Sequence, residues 1–274
     1  MTTPTFTLVH GAEIPAIGLG TYPMTDSEAA IEVRTAIEAG YRLIDTAENY
    51  GNERGVGKAI ADSSVPREEL FITSKLNREW HSIDGVAQAW ENSTKRLGVD
   101  YLDLFLIHWP NPDQDRYVEA WDGLTRLLTA GKVRAIGTSN FKPAHLLKII
   151  ESVGTVPDVN QIQLSPYHRR RESVAFHRHA GILTQAWGPL KPAEMLADPV
   201  IVAIADRHNV TPAQVVLRWN TQHSRVPIPK SSSPSRQKEN LAIFGFRLTD
   251  EELAAIDALD QGEAGTADSD AFGH

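Results

Sequence analysis

The sequence of 274 residues contains no cysteine, so disulfides and thiolate metal sites are excluded. It also lacks an excess of positive charge. Lys and Arg number 27 against 35 Asp and Glu, a net charge of −8. General affinity for nucleic acid needs a basic face that neutralises phosphates, so no nucleic-acid partner is expected. Long apolar runs are missing too. None approaches the roughly 20 residues that span a bilayer, and no membrane partner is expected. The stretch Met1 to Thr7 has neither a basic region nor an apolar one. No secretory signal is read there, and a cytoplasmic location is expected. Low-complexity tracts and linkers are likewise absent.

The sequence does carry enough apolar material for a sizeable core, at 41% hydrophobic and 23% charged residues. Its length suits one barrel of about 250 residues. A repeated phrase organises it: an amphipathic stretch, a glycine, then a short β-rich run. This occurs at Gly40, Gly98, Gly131 and Gly181. Glycine after a helix fits the left-handed residue that ends it. The continuous apolar run that follows fits a parallel strand buried on both faces.

Helix starts are marked as well. Thr25 with Glu28, and Thr249 with Glu252, have the form of capping boxes, and Thr211-Pro212 is a capping pair. The runs 16–21, 41–45, 70–75, 102–109, 133–138, 158–163, 182–187 and 226–229 read as eight strands. Crossover rules allow a doubly wound sheet or a closed barrel. Eight units favour an α/β fold of the (β/α)8 TIM-barrel type, as a single domain over residues 1–274. Phe6 to Ile14, with His10-Gly11 between short alternating runs, is expected to form a hairpin covering one barrel end.

Active sites of such barrels lie at the C-terminal ends of the strands. There the sequence delivers Asp45, Lys75 and His108 from three successive strands, with Tyr50 close by. Each of these residues, taken singly, is best read as a solvated strand-end group. Together, three ionisable groups and a tyrosine at one rim make a reaction centre.

These stretches resemble the aldo-keto reductase family over nearly the whole chain. The resemblance is carried by Gly40-Tyr41-Arg42-Leu43-Ile44-Asp45-Thr46-Ala47 with Tyr50-Gly51-Asn52-Glu53, and by Leu104 to Pro110. It continues in Ile136 to Phe141, Val159-Asn160-Gln161, and Ile228 to Arg236 followed by Glu239-Asn240. Within the family, the chain is most similar to bacterial 2,5-diketo-D-gluconate reductase-like and prostaglandin F synthase-like members.

The resemblance implies an NADP-dependent oxidoreductase reducing aldehydes or ketones, with Asp45, Tyr50, Lys75 and His108 as catalytic tetrad. Tyrosine holds its proton at neutral pH, with a pKa of about 10. Lys75 beside it is expected to lower that value. Asp45 pairs with Lys75 in this scheme, and His108 donates to the substrate oxygen.

The cofactor NADPH/NADP+ also rests on the resemblance. Gly18-Leu19-Gly20 is a lone G-x-G without the third glycine of a dinucleotide fingerprint. Ser139, Asn140 and Gln161 are implied at the nicotinamide carboxamide and Trp187 against its ring, where many members have tyrosine. Gly20, Thr21, Gly188 and Leu190 complete the expected cofactor contacts. Lys230, Ser231, Ser232, Ser233 and Arg236 read as a clamp for the 2′-phosphate ahead of a helix expected at 237–244. Glu239 and Asn240 are implied at the adenine.

Tyr22, Asn77, Trp80, Trp109 and Phe272 are candidate substrate contacts for a small-molecule carbonyl compound. Phe272 is carried by a C-terminal tail, 265–274, that is expected to be mobile and to fold over the site as a substrate loop. The protein is expected to be a monomer. A rival reading is a cofactor-binding redox sensor or partner module on the same fold. Another is a metal-assisted barrel hydrolase, for which Ser139, Asn140, Gln161 and Trp187 are poor ligands. No metal site is expected. His177 and His179 read as an exposed part of a helix, and Arg169-Arg170-Arg171 as a solvated basic run.

Overall fold

Five of the helices among the described residues stop at a glycine with left-handed backbone, and each of those stops hands the chain to a barrel strand. The computed structural model describes residues 3–273, and Met1, Thr2 and His274 lie outside the described residues. Gly40, Gly98, Gly131 and Gly181 all have positive φ, as the repeated phrase requires.

The barrel strands are β3 (Gly18–Gly20), β4 (Leu43–Asp45), β5 (Phe71–Leu76), β6 (Leu102–Ile107), β7 (Val133–Ser139), β8 (Val159–Gln163), β9 (Leu183–Trp187) and β10 (Val226–Pro227). They form one sheet in sequence order, and every neighbouring pair is parallel. The sheet curls round on itself, and the Gly20 amide donates to the Pro229 carbonyl at 3.2 Å. A Cβ on Gly20 would stand 2.8 Å from the Ile228 carbonyl oxygen, so this close approach requires glycine. The result is the expected (β/α)8 barrel.

The helices wrapping it are α1 (Asp26–Ala39), α2 (Glu53–Ala61), α3 (Ile83–Leu97), α4 (Tyr117–Thr129), α5 (Pro143–Val153), α6 (Arg171–Ala180), α7 (Pro199–His208), α8 (Pro212–Gln222), α9 (Pro234–Leu241) and α10 (Asp250–Asp257). Capping boxes open α1, α8 and α10 at Thr25, Thr211 and Thr249. Trp90, Trp121 and Trp219 are buried between helices and barrel.

Several element ends differ from expectation by a few residues, two of them for a clear local reason. Strand β10 is only two residues long; Pro227 and Pro229 have no N–H for a ladder. Helix α9 begins at Pro234, three residues early, because Ser233 caps it and proline fits its first turn.

Strands β1 (Thr5–Thr7) and β2 (Glu13–Pro15) pair antiparallel, with Phe6 opposite Ile14. The turn between them is bolted to the barrel. His10 bonds to both oxygens of the buried Asp158, through its backbone N and its Nδ1, each at 2.9 Å. Asp158 immediately precedes β8, so the hairpin covers the N-terminal end of the barrel, opposite the candidate site.

Candidate active site

Two neighbouring strand ends, those of β4 and β5, meet at one buried cation. Lys75, on β5, is fully buried. Its Nζ donates to Asp45 Oδ1 at 2.6 Å, to the Thr46 carbonyl at 2.9 Å and to the Tyr50 hydroxyl at 3.3 Å. The ammonium has three hydrogens, and these three oxygens use them all. Asp45 ends β4; Tyr50 follows it on a short 3₁₀ turn, Glu48–Tyr50, which Gly51 closes with a φ of 67°. His108 follows β6 and lies edge-on to Tyr50, with ring centroids 5.6 Å apart. All four residues expected from the sequence therefore meet.

Burial opposes the charge on Lys75, but Asp45 and Tyr50 outweigh it and hold its pKa above the usual lysine range. Burial pushes the Asp45 carboxyl upward, against the pull of Lys75 and Gln161. The ion pair prevails, because both carboxylate oxygens receive hydrogen bonds: Lys75 at one and Gln161 Nε2 at the other, 2.7 Å away. At Tyr50 the expectation needs correction. Lys75 does pull the phenol pKa down, but burial is the larger effect and the net direction is upward. In low-dielectric surroundings the phenolate is the costly form.

Beside this centre lies a shelf of polar groups. Asn140 follows β7 with a left-handed φ of 63°. Its Nδ2 donates to the His108 carbonyl and to Ser139 Oγ, each at 3.1 Å, and its Oδ1 accepts from Trp187 Nε1 at 2.9 Å. Ser139 Oγ donates to the Gln161 carbonyl at 3.0 Å. Trp187 at the end of β9 is half-buried, and Gly188 after it turns with a φ of 59°. Leu190 packs partly buried against the core. Thr21 is buried, its hydroxyl donating to the Asp45 carbonyl at 3.0 Å.

The loop before α9 has the chemistry expected of an anion clamp. Lys230, Ser232, Ser235 and Arg236 are exposed, while Ser231 is buried. Ser233 caps the helix through the Arg236 amide. Among the described residues, neither Lys230 nor Arg236 forms an ion pair with a carboxylate, and Lys230 Nζ donates to Ser232 Oγ at 3.1 Å. Two exposed cations at a helix N-terminus fit a phosphate dianion. On the same helix, Glu239 Oε1 accepts from Thr211 Oγ1 at 2.7 Å, and Asn240 is buried.

Rings line the approach. Tyr22 is exposed, 5.1 Å from Tyr50 centroid to centroid. Trp109 is buried and Phe272 stands edge-on to it at 4.9 Å. Asn77 is buried at the end of β5. Trp80 donates from Nε1 to Glu48 Oε2 at 2.8 Å, which ties it to the turn carrying Tyr50.

The tail reaches the site, with Phe272 against Trp109, and its carboxylates pair with residues at the start of α5. Lys142 Nζ reaches Asp268 Oδ1 at 2.6 Å and Asp270 Oδ2 at 2.5 Å, and His145 Nε2 lies 3.0 Å from Asp270 Oδ1. The Ala267 amide donates to Gln163 Oε1 at 3.1 Å.

Two further expectations are corrected. His177 is fully buried, bonding to Asn160 Nδ2 at 2.8 Å and Thr184 Oγ1 at 2.9 Å. It faces the barrel because it shares a helix face with the buried Ser173. Of the three arginines only Arg171 is solvated as expected; the Arg169 and Arg170 side chains are largely covered. Arg169 pairs with Asp257, Arg170 with Glu263 and Arg171 with Asp260, binding the segment that leads into the tail.

Sequence reasoning missed Gln185. It is fully buried on β9, opposite Gln161 in register, and its Oε1 accepts from Gln161 Nε2 at 2.7 Å. The available signal was alternation, since Gln185 lies two residues before Trp187 and therefore faces the same side of the strand.

Comparison with known proteins agrees with this geometry. The model of the aldo/keto reductase family matches residues 16–261. An aldo-keto reductase of Mycolicibacterium smegmatis is 45% identical over 262 residues, covering 95% of this chain and 94% of its own. The 2,5-diketo-D-gluconic acid reductase B of a Corynebacterium species is 42% identical over 268 residues, covering 97% of each chain. Among solved structures, a variant of Gox0644 in complex with NADPH superposes with a TM-score of 0.95 at 39% identity over 100% of both chains. An aldo/keto reductase from Brucella melitensis superposes with a TM-score of 0.93 at 43% identity, over 95% of this chain and 99% of its own. With the barrel, the buried lysine and these relatives together, the chain belongs to the aldo/keto reductase family of oxidoreductases.

Proposed function

We propose that this protein reduces aldehydes or ketones to alcohols with NADPH, and that Tyr50 delivers the proton to the carbonyl oxygen. The observation that carries the reading is the Lys75 ammonium, held by Asp45 and donating to the Tyr50 hydroxyl. Carbonyl reduction needs a hydride at carbon and a proton at oxygen. When bound, the nicotinamide supplies the hydride. The protein supplies the rest.

Tyr50 is protonated at neutral pH, since its pKa is displaced upward, and so it can act as an acid. As its proton leaves, the Lys75 ammonium 3.3 Å away stabilises the phenolate. Asp45 keeps Lys75 charged and aimed. His108, edge-on to Tyr50, donates to the same substrate oxygen and stabilises the charge developing there.

Ser139, Asn140 and Gln161 fit the carboxamide, and Trp187 offers its face to the nicotinamide ring. Gly20, Thr21, Gly188 and Leu190 line the adjoining path. Lys230, Ser231, Ser232, Ser233 and Arg236 fit the 2′-phosphate, with Glu239 and Asn240 toward the adenine. The two cations, neither of which forms an ion pair with a carboxylate among the described residues, support NADPH over NADH. Tyr22, Asn77, Trp80, Trp109 and Phe272 form the substrate walls, and their rings suit flat or apolar carbonyl compounds. Diketones and keto sugars are included, given the diketogluconate reductase among the relatives. One barrel domain over residues 1–274, acting as a cytoplasmic monomer, completes this reading.

The test is loss of NADPH absorbance with a panel of aldehydes, α-diketones and keto sugars, run beside NADH. Turnover with NADPH preferred is the expected result. Tight NADPH binding without turnover on any of them would sink the reductase reading.

A further inference from the structure

Gln161 has spent its donors. An amide NH2 carries two hydrogens, and Gln161 Nε2 lies 2.7 Å from Asp45 Oδ2 and 2.7 Å from Gln185 Oε1. Its remaining polar atom, Oε1, accepts no hydrogen bond among the described residues. Two acceptors flanking one nitrogen determine which way round the amide sits. With Gln185 removed, the Asp45 contact alone would hold the amide, and the plane of the amide could swing about that single contact.

Gln185 is poorly explained as a stabilising residue. Its own Nε2 is buried and finds no partner among the described residues. A stranded buried donor is destabilising, and an apolar side chain of similar size would avoid that cost. A function for Gln185 has to lie in what its oxygen does.

We propose that Gln185 is a positioning residue: it fixes the Gln161 amide so that Gln161 Oε1 is presented as an acceptor to the carboxamide N–H of the nicotinamide cofactor. This rests on the reading above that Gln161 holds the carboxamide. The same contact leaves one Gln161 hydrogen on Asp45, so cofactor orientation and the Asp45–Lys75 pair are set by one side chain. Gln185 touches neither cofactor nor substrate and acts only through Gln161.

The experiment is a fluorescence-quenching titration of the full chain with two ligands. One is NADP+. The other is its 3-acetylpyridine analogue, in which a methyl group replaces the carboxamide NH2 and no N–H remains to be accepted. The variants are Gln185→Leu, Gln185→Glu and Gln161→Leu, with thermal unfolding measured on each. Gln185→Leu is expected to weaken NADP+ about tenfold, the scale of one hydrogen bond, and to leave the analogue's affinity unchanged. Gln185→Glu keeps an accepting oxygen and is expected to restore NADP+ binding. Equal weakening of both ligands in Gln185→Leu, tracking a loss of thermal stability, would overturn the proposal as a merely structural effect. Loss of NADP+ affinity in Gln161→Leu alone would overturn it while sparing the carboxamide reading. Unchanged affinity in both Leu variants would overturn the two together.

Discussion

Lys75 and Tyr50 meet twice: the ammonium donates to the phenol oxygen at 3.3 Å and lies 4.9 Å from the centre of the ring. Removing the hydroxyl while keeping the ring separates these contacts. Tyr50→Phe is expected to lower kcat by about 10²–10⁴, the usual worth of a general acid. NADPH affinity, followed by tryptophan quenching, should stay within about twofold, because the ring volume remains. A variant with near-normal turnover would show that another group supplies the proton.

The upward displacement of the Tyr50 pKa sets the pH dependence. Reduction needs the protonated phenol and is expected to persist through neutral pH, then fall as pH rises through the phenol's pKa. Alcohol oxidation with NADP+ needs the phenolate and should rise over the same range. Rate profiles in both directions check this, and a common fall toward high pH would contradict it.

Lys75 and Asp45 form a buried pair, and breaking such a pair strands a charge. Lys75→Met is expected to cost about 3–5 kcal/mol of stability, measured by urea unfolding. Adding Asp45→Asn should recover part of that loss, since no carboxylate is then left without its cation. If the double variant is as unstable as the sum of the two single ones, the pair is not coupled as the geometry requires.

Arg236 and Lys230 are the exposed cations of the proposed clamp. Arg236→Ala is expected to weaken NADPH by roughly tenfold or more, the scale of a charge-assisted contact, and to leave NADH almost unaffected. Equal losses for the two cofactors, measured by titration, would remove the 2′-phosphate assignment.

His177 is buried and neutral, its pKa lowered to about 3 from an ordinary 6.5 by burial and by Arg170 and Arg225. The unfolded chain takes up a proton below pH 6.5 that the folded one refuses. Stability is therefore full above about pH 6.5 and declines as pH falls toward 3. His81, lowered to about 4, adds in the same sense. His177→Gln should flatten part of this decline in urea midpoints measured between neutral and acid pH, whatever its cost at neutral pH.

Much of this protein was legible in its sequence. The glycine stops, the capping boxes and the eight apolar runs set the barrel, because helix ends and buried parallel strands obey local rules. The four catalytic candidates were legible too, since strand-end residues of a barrel share one rim. The pairing of the tail was not legible. Only folding brings Asp268 and Asp270 to Lys142, 126 and 128 residues away in the chain. His177 was misjudged because the pattern of α6 does not show which barrel groups face it. Gln185 was passed over because one buried glutamine carries no signal until Gln161 and Asp45 are placed beside it. Local sequence determined the elements and what each strand end offers. Tertiary structure decided which polar groups satisfy one another, because buried hydrogen bonds between distant strands depend on register and barrel closure.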